Sequence, residues 1–252
     1  MWGSRSDRAG ADPPPTLTRT STKVAGIEQF GEQLWIVAGD RVRMLGIPFQ
    51  TRMTVARLSD GGLWLHSPVA ATDERVAAVE ALGPIRHIVA PDKFHHLFVR
   101  EWTERFPYAT SWADPQLAAR VDLSFDQWLS DAAEACWIRD LDQLIFAGSK
   151  VLSEVVFLHR KSRSLILTDI IQRHEPTADR WFWRTIKRLN GIVAPDGGAP
   201  RDWRLTVRDR DAARAARDRM LNWQFDRLVV THGRCIESGA KAWVARAFAW
   251  LD

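Results

Sequence analysis

The tripeptide Asp60-Gly61-Gly62 lies between two apolar runs, residues 53–58 and 63–66. Glycine tolerates the positive φ of tight turns, so β-prone runs this close together pair as an antiparallel hairpin. A second hairpin is expected where residues 155–158 and 165–167 flank a charged turn at 160–163. Residues 34–37 read as a further short strand. Between and after the hairpins the period changes. Residues 72–82 read as a helix capped by Thr72 or Asp73 and ended by Gly83-Pro84. A compact strand over 85–89 breaks at Pro91, and a helix is expected to follow, with Phe94, Leu97, Phe98, Trp102 and Phe106 on its apolar face. A helix over 208–223 leads into a strand at 228–230, and Trp243, Val244, Ala247, Phe248 and Leu251 share one face of a last helix. Hairpins first, then alternating strands and helices, specify a layered, sheet-based α/β structure rather than a pure βαβ repeat.

Composition narrows the class. The 252 residues, 46% hydrophobic and 26% charged, are those of a globular chain with a large core. Residues 1–23 are polar and Arg-, Ser-, Thr- and Pro-rich, and read as a disordered tail; residues 24–252 read as one domain. No run approaches the roughly 18 apolar residues of a spanning helix, so no membrane partner is expected. Two cysteines, Cys136 and Cys235, leave no disulfide framework, and the expected compartment is cytoplasmic. The net charge of +4 is carried largely by arginines interleaved with aspartates between Arg201 and Arg219. Mixed signs at that spacing mark a solvated, ion-paired helix, so no nucleic-acid partner is expected. The oligomeric state is left open.

Three strands deliver metal-capable residues just past their C-terminal ends: His95 and His96 after the first, Asp169 after the second, and His232 after the third. Loops converge at the carboxyl ends of strands in α/β sheets, which is where ligands gather. Three imidazoles and a carboxylate suit one Zn²⁺, with Fe²⁺ and Mn²⁺ as alternatives. Of the other histidines, His66 ends a strand and is a candidate for the cleft, while His87, His159 and His174 carry less weight. Glu154 begins a core strand, and an ion pair with an arginine is its expected role, with support of an imidazole as the alternative.

The run 53–68, the segment His87-Ile88-Val89-Ala90-Pro91 leading to His95-His96, the segment from Glu154 to His159 with Thr168-Asp169, and Thr231-His232-Gly233 resemble a domain-of-unknown-function family of the metallo-β-lactamase superfamily. The resemblance covers about residues 25–252 and implies an αββα sandwich of two mixed sheets flanked by helices. The superfamily's motif His-x-His-x-Asp-His places its last His on His96, its Asp on His95, its middle His on Lys93 and its first on Pro91. The bridging Asp falls on Asp169, the final His on His232, and the remaining His near Lys150. The ligands of one metal are thus almost erased and those of the other kept as His95, His96, Asp169 and His232, which implies one metal at most, with Asp169 as fourth ligand or catalytic base.

Two functions follow. The first is a mononuclear metal-dependent hydrolase of an ester, thioester or phosphoester, with a small-molecule substrate, an anionic one fitting the nearby Lys and Arg. The second is a metal-free, degenerate member that binds a ligand or partner in the old cleft.

Overall fold

Strict period-two alternation sorts the strand residues of this chain between three apolar layers. In the computed structural model, which describes residues 26–118 and 123–252, β4 (Leu63–His66) sends Leu63 and Leu65 outward and Trp64 inward. β9 (Glu154–His159) sends Val156 and Leu158 outward and Val155 and Phe157 inward, and β10 (Ser164–Leu167) divides Leu165 and Leu167 from Ile166 in the same way. Such strands are apolar on both faces because they sit between two covered layers. The tail expected over residues 1–23 lies outside the described residues.

Among the described residues the first sheet has seven strands in chain order: β1 (Ile27–Gly31), β2 (Leu34–Met44), β3 (Ile47–Arg57), β4, β5 (Ile85–Ala90), β6 (Thr110–Ala113) and β7 (Gln127–Trp128). It is antiparallel from β1 to β4 and parallel from β4 to β7. The second sheet runs β11 (Arg227–Val230), β10, β9, β8 (Leu141–Phe146), antiparallel except for the parallel pair β10–β11. The sheets face each other across a core built around Trp64, Trp112, Trp137 and Phe157. Burying side chains of this size stabilises by roughly 1.5–3 kcal/mol each. On the outer face of the first sheet lie α1 (Asp73–Glu80) and α2 (Val99–Arg105). The second sheet is covered by α4 (Arg201–Thr206), α5 (Arg210–Asn222) and α6 (Ala240–Ala247), while α3 (Trp181–Leu189) lies between β10 and α4 in the chain. The fold is the expected αββα sandwich.

Both expected hairpins form. Asp60 Oδ1 accepts from the Gly62 backbone N–H at 2.8 Å and Gly61 adopts φ +85°, which fixes the β3–β4 turn. Thr72 caps α1 by accepting from Arg75 N–H. The arginines of α5 pair as the charge pattern indicates, Arg214 with Asp211 and Arg217 with Asp218 and Asp252. One boundary differs. The helix expected from Phe94 begins only at Val99, because Asp92 Oδ1 accepts from the N–H groups of Phe94 and His95 and winds residues 92–98 into turns. Among the described residues no helix is long and apolar enough to cross a membrane.

Two histidines of the core give a test by pH. Burial pushes His87 and His159 down to about 4. A folded pKa below the unfolded value near 6.5 means that the unfolded chain takes up protons first as pH falls. Their contribution to stability is therefore complete above about 6.5 and is lost as pH falls through about 4. The thermal midpoint is expected to fall steadily between about pH 7 and pH 4.5, and less steeply in His87→Phe. Equal slopes in both proteins would show that His87 is not held neutral in the fold.

Candidate metal centre

The parallel pairing of β10 with β11 brings Asp169 and His232 to one edge of the second sheet. β5 delivers the 91–96 segment to the same place, where Val155 N–H donates to the Pro91 carbonyl across the two sheets. Among the described residues, His95, Asp169 and His232 offer ligand atoms that all lie within 4.8 Å of one another. His95 Nε2 is 3.4 Å from Asp169 Oδ2, and His232 Nε2 is 3.2 Å from Asp169 Oδ1. His96, expected with them, stands outside this group. It lines the wall of the same cleft, and its Nδ1 is buried without a hydrogen-bond partner.

Each of the three residues is held from behind. His232 Nδ1 lies 2.7 Å from the Gln50 carbonyl on β3, so Nδ1 carries the proton and Nε2 faces Asp169. His95 Nδ1 lies 2.6 Å from Ser67 Oγ, in the turn after β4. Asp169 is set by Glu154, whose two oxygens accept the successive backbone N–H groups of Thr168, Asp169 and Ile170 at 2.6, 2.6 and 2.9 Å. Glu154 thus neither pairs with an arginine nor supports an imidazole directly, as the sequence reading had it. Its position at the start of β9 puts it against the end of β10, where free N–H groups need acceptors.

Further partners escaped the sequence reading. Asp92 is fully buried and its Oδ2 accepts from Thr168 Oγ1 at 2.7 Å. His174, given little weight from the sequence, is buried and stacks on His232 with ring centroids 6.0 Å apart. Lys187 Nζ donates to His174 Nδ1 at 3.3 Å, so Nε2 keeps the proton and donates to Gln172 Oε1 at 2.9 Å. Gln172 Nε2 then donates to Asp169 Oδ1 at 3.2 Å. Every donor in this line points toward Asp169. His66, a candidate for the cleft, is buried between Trp64 and Phe157 in the inter-sheet core with neither ring nitrogen bonded. Only the alternation of β4, which places residues 64 and 66 on one face, could have shown this. Of the two lysines replacing lost ligands, Lys93 is buried and donates to the Val151 carbonyl, whereas Lys150 is exposed.

The electrostatics are those of an acid-rich pocket. Burial alone would raise Asp169, but the His95 charge and the close approach of the His232 and His95 rings hold it well below the usual carboxylate range. Burial works against a charge on His95, yet Asp92, Asp169 and Glu154 together raise it to about 9. Burial and the Asp92 charge push Glu154 up to about 8, against the pull of its N–H donors. Asp92 is raised as well, by burial first. Three carboxyl groups crowd around two imidazoles, and a cation would relieve them.

The fold is that of the metallo-β-lactamases. The structure is similar to a metallo-β-lactamase from Pontibacter korlensis, with a TM-score of 0.59 at 11% identity over 86% of this chain and 95% of that one. It is equally close to DIM-1 metallo-β-lactamase exposed to ceftazidime, with a TM-score of 0.60 at 14% identity over 92% and 100% of the two chains. A metal-soaked flavodiiron core, Flv1 of Synechocystis sp. PCC6803, matches with a TM-score of 0.61 at 12% identity, over 89% of this chain and 60% of that one. Comparison with curated protein sequences finds no significant match. The chain belongs to the family described as a domain of unknown function, DUF4336, whose model matches residues 32–180.

The Glu154 clamp is directly testable. Glu154→Gln leaves one oxygen for three buried N–H groups and turns an NH₂ toward the others. Unsatisfied buried donors cost about 1–3 kcal/mol each, so urea unfolding is expected to show a loss of that size. Lys161→Ala, which removes an exposed ion pair with Glu32, is expected to change stability by less than about 0.5 kcal/mol. A Glu154→Gln protein as stable as wild type would mean that the clamp does not hold the strand end.

Proposed function

We propose that this chain is a metal-dependent hydrolase with a single divalent ion held by His95, Asp169 and His232. The observation that carries the reading is the aim of His232. Its Nδ1–H is committed to the Gln50 carbonyl, so the Nε2 lone pair faces Asp169 Oδ1 at 3.2 Å. Two acceptors that face each other in a buried site need a proton or a cation between them. The donor set of two imidazoles and a carboxylate suits Zn²⁺ and accommodates Fe²⁺ or Mn²⁺. Such an ion supplies Lewis acidity toward a carbonyl or phosphoryl oxygen and lowers the pKa of water to about 7.

The chain's own residues do the positioning. Gln50 and Ser67 fix the rings of His232 and His95, and Glu154 and Gln172 hold the Asp169 backbone and carboxylate. Both oxygens of Asp169 are turned to imidazoles, which favours ligation over action as a free base. His96 and Phe94 wall the cleft and limit water around the substrate. The reaction supported is hydrolysis of an ester, thioester or phosphoester of a small molecule: water adds at the acyl carbon or phosphorus, and the leaving oxygen or sulfur departs with a proton.

A metal-free reading has an observation of its own. With His95 raised to about 9, the ring carries positive charge beside Asp92 and Asp169 and balances part of the site unaided. In that case the cleft binds a ligand without turning it over.

Elemental analysis of untagged protein separates the two. One equivalent of transition metal is expected, removed by a chelator and missing from His232→Ala, where loss of a ligand costs several kcal/mol of metal affinity. His159→Ala is expected to keep it, because that imidazole is buried against Ser162 at the far end of β9. Wild-type protein without metal, or equal metal in both variants, transfers the conclusion to the metal-free reading.

A further inference from the structure

The cleft does not end at the three ligand candidates. It continues as a cavity of about 470 Å³ bounded by the β2–β3 hairpin, α3 and α4, and Met44, Phe49, Phe94 and Asp169 border both parts. That volume is in the range of small-molecule sites, roughly 300–1,000 Å³, and too small for a folded partner's segment of any length. We propose that this cavity receives the apolar acyl chain of a substrate whose reacting carbonyl lies at Asp169. The inference rests on the hydrolase reading for the position of the carbonyl, but not for the binding of the chain.

Two observations carry it. The first is that the walls are apolar, formed by Ile47, Leu152, Ile186, Ile192 and Trp203 together with Phe49. The second is that the polar residues bordering the cavity are committed to partners within the protein. Lys187 donates to the Pro48 carbonyl at 2.6 Å and to Asp179 at 2.7 Å, besides His174. Asn190 and Asp202 bond each other twice, side chain to side chain and side chain to backbone, both at 3.0 Å. Thr206 Oγ1 donates to the Trp203 carbonyl at 2.6 Å and meets Ser149 Oγ at 2.7 Å. A polar ligand body entering here would forfeit its hydration without gaining these partners, whereas an alkyl chain loses nothing. The anionic substrate expected from the nearby lysines is thus disfavoured at this end of the cleft.

The mouth has the same character. Met44, Leu45 and Val151 border the cavity at 38%, 95% and 47% exposure, and Trp181 and Phe182 stand exposed on α3. The hairpin tip reaches that helix, since a Cβ on Gly46 would sit 3.8 Å from the Trp183 ring. Large apolar side chains gathered around an opening mark a route for an apolar ligand.

The test uses neutral probes, so that charge plays no part. Calorimetric titration of metal-stripped protein with 1-butanol to 1-decanol is expected to tighten about fourfold per methylene, the equivalent of ~0.8 kcal/mol, until the cavity is filled. Val151→Trp, a change at an exposed position that narrows the opening, is expected to remove most of that increment, and Met44→Glu to weaken it. With the metal-loaded protein and p-nitrophenyl esters from acetate to decanoate, kcat/KM is expected to climb with chain length in wild type. The decanoate-to-acetate ratio is expected to fall at least tenfold in Val151→Trp. Affinity that is flat along the alcohol series, or increments unchanged in Val151→Trp, overturns the assignment. Alcohols that bind with the full increment while no ester is turned over support the cavity and contradict the hydrolase reading instead.

Discussion

One carboxylate holds the site together. Glu154, at the first position of β9, accepts three consecutive backbone N–H groups at the end of β10. A strand that stops inside a protein leaves donors without partners, and each costs about 1–3 kcal/mol if nothing meets them. Here the two oxygens of one side chain meet all three and fix the φ/ψ path of residues 168–170. Asp92 reaches the same turn from the other sheet through Thr168 Oγ1 and, with its second oxygen, shapes the loop that presents His95. The position of Asp169 against His95 is therefore a property of the backbone of two sheets.

That arrangement has an electrostatic consequence. The carboxylates that build the turn are buried within reach of the carboxylate the turn presents, and they raise one another while His95 and His232 hold Asp169 ionised. A closed site of this kind is stable either with imidazolium or with a metal ion between its acids. The line from Lys187 through His174 and Gln172 favours the acceptor role of Asp169, because each of its donors points inward and none can be reversed while the Lys187 ammonium is charged. The acids and their supports sit at one end of a mostly apolar cleft, which keeps water low around whatever binds there.

The strands whose side chains alternate between core layers could be read from the sequence, and they place the ends that carry His95, Asp169 and His232. Pattern reading located β3, β4, β5, β9, β10 and β11 for that reason, and with them the edge where the site lies. It missed β1, β6, β7, β8 and α3: β6 and β8 are buried or half-buried throughout, yet their short runs set polar beside apolar residues without a clean period. It also placed His96 beside His95 in the site. Adjacent residues in a turn point in different directions, and the Asx-type turn at Asp92 that decides which one faces Asp169 has no periodic signature. Glu154 and Asp92 were beyond sequence reasoning in another way: their partners lie 14 to 16 and 76 residues along the chain, and only the register of the two sheets brings them together.

The proposed function stands or falls with His95, Asp169 and His232 as the ligands of one divalent ion. A crystal of untagged protein grown with Zn²⁺, measured at the zinc absorption edge, tests it most directly. One anomalous peak is expected at the cluster, about 2.0–2.2 Å from an imidazole nitrogen of each histidine and an Asp169 oxygen. A well-ordered cluster without a peak, or a zinc ion bound elsewhere while His95 and His232 remain paired with Asp169, would contradict it.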